Sequence, residues 1–211
     1  MSLLNPFSDG SNIFLDFIEK VNSKASRVLE IGSRMVSPGA GAGSKRMLFP
    51  KASNYVGFDY YKDSNTDVIG DCHELSRYFR GQKFDAIFSV ALLEHLAMPW
   101  VVAMEIAKVL EIDGDTFHCA PQTWPVHESP WDFWRFSEES LRILFSPAMG
   151  FETIRTGYIG QIHIKEFPSQ YGFGAVAIWA RKVKKPKLRR FKWKTNIEEI
   201  LGSNCLYPKR D

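Results

Sequence analysis

The stretch RVLEIG at residues 27–32 decides the fold of this chain. The branched residues Val28, Leu29 and Ile31 predict a short β-strand that is buried on both faces, and Gly32 predicts a tight turn at its end. Similar apolar stretches predict four more strands, at residues 55–59, 66–69, 84–90 and 115–120. Helical spacing or start and stop signals occur at residues 11–21, 73–80, 99–114 and 137–147. Strands that alternate with helices predict right-handed crossovers and a mostly parallel sheet.

The chain closes with two more predicted strands, at residues 151–158 and 174–180. No helical pattern separates them, so we expect them to pair antiparallel at the edge of the sheet. The predicted fold class is therefore α/β: a doubly wound, mostly parallel sheet of about seven strands with an antiparallel edge strand, in three α/β/α layers. Residues 1–180 are predicted to form one domain.

Composition excludes several classes of protein. The 211 residues are 45% apolar and 24% charged, which suits a chain with a buried core and excludes a disordered one. No apolar run approaches the roughly 20 residues that span a bilayer. The three cysteines, Cys72, Cys119 and Cys205, form no C-x-x-C pair and no disulfide framework. Together with an N-terminus that lacks a signal-peptide pattern, they predict a reduced, cytoplasmic protein.

The positive charge is concentrated near the C-terminus. Residues 181–194 hold nine Lys or Arg and no acid, and removing that +9 from the total of +3 leaves −6 for the rest. We expect residues 181–211 to form a basic extension that packs on the domain or trails from it. Its expected partner is an anionic surface or a phosphorylated substrate, with nucleic acid less favoured, and the alternative is a solvated run over the last strand.

Ligands bind at the carboxyl ends of strands in such a sheet, so the residues that follow each strand are the site candidates. Gly32 lets a ligand approach the backbone. Asp59, at the end of the second strand, can accept hydrogen bonds from the vicinal hydroxyls of a ribose. Tyr60 beside it offers a flat face for a base. These residue types together indicate a nucleoside.

Four ordered motifs resemble the class I S-adenosylmethionine-dependent methyltransferases, over roughly residues 25–160. They are VLEIG (28–32), Asp59, GDCHEL (70–75) and FDAIFSVALLEH (84–95). The resemblance implies a Rossmann-like fold, S-adenosyl-L-methionine as cofactor and S-adenosyl-L-homocysteine as product. It also implies a set of cofactor-binding residues: Glu30, Gly32, Ser33, Arg34, Asp59, Tyr60, Asp71, Cys72, Val90 and Ala91.

Within that set, the resemblance gives particular roles to a few residues. Asp71 and the backbone N–H of Cys72 would bind adenine, and Glu30 would lie near the ammonium group of the cofactor. One position departs from the pattern, because Arg34 stands where the family usually has a second glycine. Either the guanidinium of Arg34 binds the cofactor carboxylate instead, or the loop is distorted and binding is weak.

A second cluster, HESPWDFWRF at residues 127–136, follows the fifth strand. It resembles an H-x-x-P-x-D-F-W-R-F segment in a subgroup of these enzymes linked to bacterial cell-surface glycan or secondary metabolism. We expect this segment to form the acceptor pocket through four residues: Glu128, Trp131, Trp134 and Arg135. The alternatives are that its aromatic residues form a satellite core and that Asp132 and Arg135 form a structural pair.

Methyl transfer to a small or medium-sized acceptor is the function that these motifs favour. His127 and Asp132 are the catalytic candidates if a proton must be removed, with Glu128 and His118 as further ones. Glu94 and His95 are a further catalytic candidate pair, although the favoured interpretation of His95 is a packed residue with a hydrogen-bonded ring. Two alternative functions stay open: a methyltransferase-like domain that binds a nucleoside or a partner without turnover, and a nicotinamide-dependent oxidoreductase. The oxidoreductase requires G-x-G-x-x-G after the first strand, which is absent.

Two further motifs lack the spacing of the binding sites that their residue types suggest. The pairs at residues 72–73 and 118–119 join a histidine to a cysteine but lack the spacing of zinc sites, so no metal is predicted. The stretch GAGAGSK at residues 39–45 lacks the spacing of a phosphate-binding loop.

Overall fold

The computed structural model describes residues 9–24, 26–36, 44–165 and 171–186. Its strands are β1 (Arg27–Ile31), β2 (Asn54–Asp59), β3 (Val68–Ile69), β4 (Phe84–Val90), β5 (Leu110–Pro121), β6 (Phe151–His163) and β7 (Tyr171–Lys182). Its helices are α1 (Ile13–Asn22), α2 (Leu75–Tyr78), α3 (Pro99–Val109) and α4 (Glu138–Leu144). Short 3₁₀ turns occur at Lys45–Leu48, Cys72–Glu74, Leu93–His95 and Pro147–Met149.

The strands form one sheet in the order β3-β2-β1-β4-β5-β7-β6. β1 runs parallel to both neighbours, so that Leu29 lies opposite Val56 of β2 and Ile87 of β4. β2 and β3 lie on one side of β1, and β4 and β5 on the other. The strand order therefore reverses between β1 and β4, which opens a crevice at their carboxyl ends.

The last two strands form the antiparallel edge that the sequence predicts. β7 runs antiparallel to β5, with Phe117 opposite Trp179, and antiparallel to β6, with Thr156 opposite Ile178. Both strands are longer than their apolar stretches indicate, because the ladder continues through polar residues as far as His163 and Lys182. The predicted fold class is confirmed.

Side chains on the two faces of the sheet belong to two separate cores. On one face, Phe17 of α1 is fully buried and packs against Phe88 and Phe117, with ring centroids 6.3 and 5.6 Å apart. On the other face, the core combines Leu29 with residues of α2, α3 and α4. Because alternate residues of a strand point to opposite faces, buried strands supply both cores and give the three-layer arrangement.

The boundary between α3 and β5 differs from the prediction. The sequence predicts a helix that continues to Gly114, but α3 ends at Val109 and β5 begins at Leu110, opposite Phe84. The ladder then shifts register between Phe84 and Ala86, next to a positive φ of 62° at Asp113. Leu110, which continues the helical spacing of α3, therefore belongs to a strand that contains a bulge.

The start of α4 follows its sequence signal, since the side chain of Ser137 accepts the N–H of Ser140 and completes a capping box. β7 extends two residues past the predicted domain boundary at residue 180. The basic extension from residue 187 onward and the glycine-rich stretch at residues 37–43 lie outside the described residues, so the division into 1–180 and 181–211 stays a prediction. In the part of the chain that the structure describes, no helix is long and apolar enough to cross a membrane.

Candidate active site

A cavity of about 420 Å³ lies at the carboxyl ends of β1, β2 and β4. This volume lies within the range of small-molecule sites. Eight of the ten predicted cofactor residues line it: Gly32, Arg34, Asp59, Tyr60, Asp71, Cys72, Val90 and Ala91. Ten lining residues were not singled out from the sequence as cavity residues: Ile31, Val36, Lys45, Phe58, Tyr61, Gly70, Leu92, His95, Leu96 and Ser129.

The loop after β1 is held against the end of β2 by backbone hydrogen bonds. The N–H groups of Gly32 and Ser33 both donate to the carbonyl of Phe58, at 2.9 and 3.2 Å. Gly32 has a φ of 79°, and a Cβ at this position would lie 3.3 Å from the side chain of Leu92. The positive φ favours glycine at this turn, and a Cβ would in addition press on the side chain of Leu92.

Asp59 lies at the end of β2, with its carboxylate held in place by two backbone donors. Oδ2 accepts the N–H of Arg34 at 2.9 Å, and Oδ1 accepts the N–H of Tyr61 at 3.0 Å. A carboxylate oxygen can accept more than one hydrogen bond, so both oxygens keep capacity for a ligand in the cavity. This arrangement fits a pair of vicinal ribose hydroxyls.

Asp71 is oriented by a histidine that sequence reasoning missed. It accepts the N–H of His73 at 2.9 Å and lies 2.7 Å from His73 Nδ1. His73 Nε2 accepts a hydrogen bond from the N–H of Met98 at 3.3 Å. The ring proton is therefore on Nδ1, which donates a hydrogen bond to Asp71. Burial raises the pKa of the neighbouring Cys72 thiol well above its ordinary value.

Glu30 and Ser33 are buried outside the cavity lining. Glu30 accepts hydrogen bonds from Tyr55 Oη at 2.6 Å, Asn65 Nδ2 at 3.1 Å and Lys45 Nζ at 3.2 Å. Asn65 Nδ2 also donates to the carbonyl of Ser33 at 2.8 Å. The carboxylate of Glu30 therefore supports the loop after β1 through Asn65, and Lys45 stands between it and the cavity.

Arg34 connects the two halves of the cavity wall. Its guanidinium lies 4.7 Å from the ring centroid of Tyr61, and Nη2 is 3.5 Å from Glu128 Oε2. Glu128 itself has a positive φ of 50°. Both charged side chains are partly exposed, so the pair contributes little to stability and can exchange partners when an anion binds.

The segment at residues 127–136 divides into lining and scaffold residues. Glu128 and Trp131 line the cavity. Asp132 instead accepts hydrogen bonds from both terminal nitrogens of Arg135, at 2.5 and 2.7 Å. The guanidinium of Arg135 holds the pKa of Asp132 well below its ordinary value. Trp134 donates its Nε1–H to the carbonyl of Leu96 at 2.8 Å. Asp132, Trp134 and Arg135 are absent from the lining, and their contacts shape the segment.

His127 turns toward a buried carboxylate and is also absent from the cavity lining. Its Nε2 lies 3.9 Å from Glu94 Oε1, and Nε2 of His95 lies 3.8 Å from the same oxygen. The Glu94 side chain is buried, and burial raises its pKa to about 7. The sequence offers Glu94 only as a catalytic candidate together with His95, and it does not indicate the contact of Glu94 with His127.

A family described as a methyltransferase domain matches residues 35–117. Among solved structures, a putative methyltransferase from Bacillus halodurans C-125 is 13% identical with a TM-score of 0.61, and the alignment covers 81% of this chain and 99% of that one. A SAM-dependent methyltransferase from Archaeoglobus fulgidus is 14% identical with a TM-score of 0.59, covering 81% and 92%. No curated protein matches the sequence.

A third similar structure is the 1,6-didemethyltoxoflavin-N1-methyltransferase of Burkholderia thailandensis, described with bound 1,6-didemethyltoxoflavin and S-adenosylhomocysteine. It is 15% identical with a TM-score of 0.57, and the alignment covers 82% of each chain. At these identities the likeness is one of fold. The methyltransferase-domain match over residues 35–117, taken with the sequence motifs, supports an S-adenosylmethionine-dependent methyltransferase with S-adenosyl-L-methionine as the cofactor.

Proposed function

We propose that this protein methylates a small or medium-sized acceptor that binds beside Glu128 and Trp131. The observation that carries the proposal is the cavity at the ends of β1, β2 and β4, where eight of the ten predicted cofactor residues meet two of the four predicted acceptor residues. When bound, the cofactor supplies a methyl group already activated by a sulfonium. The protein must hold the acceptor in line with that methyl group and exclude water.

Three side chains hold the nucleoside in this proposal. The carboxylate of Asp59 accepts the ribose hydroxyls, with its two oxygens already oriented by backbone donors. Asp71 accepts from the amino group of adenine, in an orientation fixed by His73. Tyr60 lines the same wall and offers its ring to the base. Arg34 binds the carboxylate at the other end of the cofactor by leaving Glu128.

Glu128 and Trp131 form the acceptor side of the cavity. The aromatic face of Trp131 suits an acceptor with a flat or apolar portion. The Burkholderia enzyme is described with bound 1,6-didemethyltoxoflavin, which supports a small-molecule acceptor here. The likeness of residues 127–136 to a glycan and secondary-metabolite subgroup extends the proposal to acceptors of those pathways. A cytoplasmic location and an anionic partner for the basic extension remain predictions.

Calorimetry with S-adenosylmethionine and S-adenosylhomocysteine tests the cofactor site. We expect both ligands to bind with one site per chain, and NADH to give no heat of binding. Binding of NADH alone would support the oxidoreductase alternative and overturn this proposal. Transfer of a labelled methyl group to small-molecule acceptors is the second readout. Cofactor binding without transfer across hydroxyl, amine and carbon acceptors would favour the non-catalytic alternative.

A further inference from the structure

Glu94, His95 and His127 bring one carboxylate and two imidazoles together beside the cavity, which His95 lines. Their nearest polar atoms all lie within 4.8 Å of one another. The Glu94 side chain is fully buried, and neither carboxylate oxygen has a hydrogen-bond partner among the described residues. A buried carboxylate without a donor or a cation is costly, so this arrangement calls for a positive partner.

The hydrogen bonds of the two histidines fix which ring nitrogen faces Glu94. Nδ1 of His95 lies 2.7 Å from the carbonyl of Trp131, and Nδ1 of His127 lies 3.1 Å from the carbonyl of Pro125. A carbonyl only accepts, so each Nδ1 carries a proton. When both rings are neutral, each has an unprotonated Nε2 with its lone pair on the side of the carboxylate. In that state, with Glu94 ionised, three acceptors face one another with no donor between them.

We propose that Glu94, His95 and His127 bind a divalent transition-metal cation, for which zinc is the reference probe. Two histidines and one carboxylate are a common ligand set for zinc and similar ions. Ligand atoms bound to zinc at about 2.0–2.2 Å lie no more than roughly 4 Å apart. Glu94 Oε1 lies 3.8 and 3.9 Å from the two Nε2 atoms, and all three ligand atoms lie within 4.8 Å of one another, so a small inward shift of the side chains closes the site. Backbone carbonyls that orient the opposite ring nitrogens are the usual support of metal-binding histidines.

The second cluster of potential ligands, at residues 71–73, has no imidazole lone pair available for an ion. There His73 donates to Asp71 through Nδ1 and uses Nε2 to accept from Met98. Its imidazole therefore has no nitrogen to spare for an ion. Among the described residues these are the two groups whose ligand atoms converge, and the one that contains Glu94 has lone pairs available.

The proposed ion has three protein ligands, so a fourth position is open at the cavity wall, where His95 and Trp131 lie. This role rests on the proposed function. An acceptor hydroxyl that takes the open position has its pKa lowered by the cation and releases its proton to solvent. The substrate class is then an oxygen nucleophile, and His127 serves as a ligand instead of the proton acceptor that the sequence predicts.

The test begins with chelator-treated protein titrated with Zn²⁺ in a calorimeter, and with Co²⁺ in an absorption spectrometer. We expect one ion per chain and cobalt bands of a low-symmetry nitrogen and oxygen site. Glu94→Gln and His127→Ala should each weaken Zn²⁺ binding at least tenfold. His163→Ala, in β6 and outside the cluster, should not. Failure to bind one ion, or equal binding by Glu94→Gln and the wild type, would overturn the site.

Thermal unfolding separates a metal from the competing arrangement, in which a protonated histidine pairs with Glu94. In metal-free protein, Glu94→Gln puts an amide donor among the lone pairs, so its melting temperature should equal or exceed that of the wild type. Zn²⁺ should raise the melting temperature of the wild type and not of the variant. A lower melting temperature for metal-free Glu94→Gln and no response of the wild type to Zn²⁺ would establish the ion pair and overturn the proposal.

Two further measurements test the open position of the ion and separate the metal site from the cofactor site. Azide should alter the absorption of the bound Co²⁺, and an unchanged spectrum would overturn the open fourth position. S-adenosylhomocysteine affinity is measured on the same samples. If Glu94→Gln and the metal-free protein retain that affinity, a failure of the metal site leaves the proposed methyl transfer standing. If the wild type lacks it, the proposed function fails separately.

Discussion

Oδ2 of Asp59 accepts the backbone N–H of Arg34 across a distance of 2.9 Å, so the last residue of β2 holds the loop that follows β1. The other oxygen accepts the N–H of Tyr61. One carboxylate thus fixes two segments of the cavity wall and still has capacity for ligand hydroxyls. The affinity for the cofactor should depend on this residue more than on any other single side chain of the wall.

Replacing Asp59 with alanine is expected to weaken S-adenosylhomocysteine binding about 100-fold, because a charged acceptor and the support of two backbone donors are lost together. Asp59→Asn keeps one carbonyl oxygen and should lose about tenfold. Calorimetric titration measures both. Asp113→Asn, on an exposed residue with positive φ near the amino end of β5, is the matched control. An Asp59→Ala variant with wild-type affinity would contradict the nucleoside placement.

Arg34 should recognise the carboxylate of the cofactor rather than its nucleoside. Its guanidinium is held only by a partly exposed pair with Glu128 and by the ring of Tyr61, so it can turn to a ligand. We expect Arg34→Ala to weaken S-adenosylhomocysteine binding about tenfold through the lost charged hydrogen bond. Methylthioadenosine, which has no carboxylate, should bind the variant and the wild type equally. Equal losses for both ligands would instead assign Arg34 to loop structure.

Much of the fold could be predicted because its strands are continuous apolar runs. β1 and β4 have the bounds that their sequences indicate, Arg27–Ile31 and Phe84–Val90. The boundary between α3 and β5 could not be predicted in this way. Leu110 continues the helical spacing of α3, yet the ladder with Phe84 takes it into β5. Tertiary pairing overrides local periodicity at such positions.

The convergence of eight predicted cofactor residues on one cavity has a related reason. Residues that directly follow parallel strands meet at one edge of the sheet, whatever the loops do. The acceptor side has no such rule. Asp132 and Arg135 turn toward each other, and Glu94 and His127 meet although 33 positions separate them in the chain. Nothing in the local sequence of either residue indicates that contact.

Gly57 is a position where a single methyl group should disturb both the fold and the cofactor site. A Cβ there would lie 2.0 Å from the backbone carbonyl of Asn65, the residue that joins Glu30 to Ser33. We expect Gly57→Ala to lower the free energy of unfolding by about 2–4 kcal/mol, measured in urea. Gly174→Ala is the control, since its nearest neighbours lie at 3.6 Å. Equal stability of the two variants would contradict this packing.

His118 should make the protein less stable as the pH falls from about 6.5 toward 3. It is fully buried, which lowers its pKa to about 3, and its ring lies 2.8 Å from Ser89 Oγ and 2.7 Å from Thr116 Oγ1. In this range the unfolded chain binds a proton at His118 and the folded protein does not, so this group removes at most about 1.4 kcal/mol of unfolding free energy per pH unit. Urea unfolding at several pH values measures the slope. His118→Gln, compared with His163→Gln as the matched control, should reduce that slope, and parallel curves for wild type and His118→Gln would contradict the assignment.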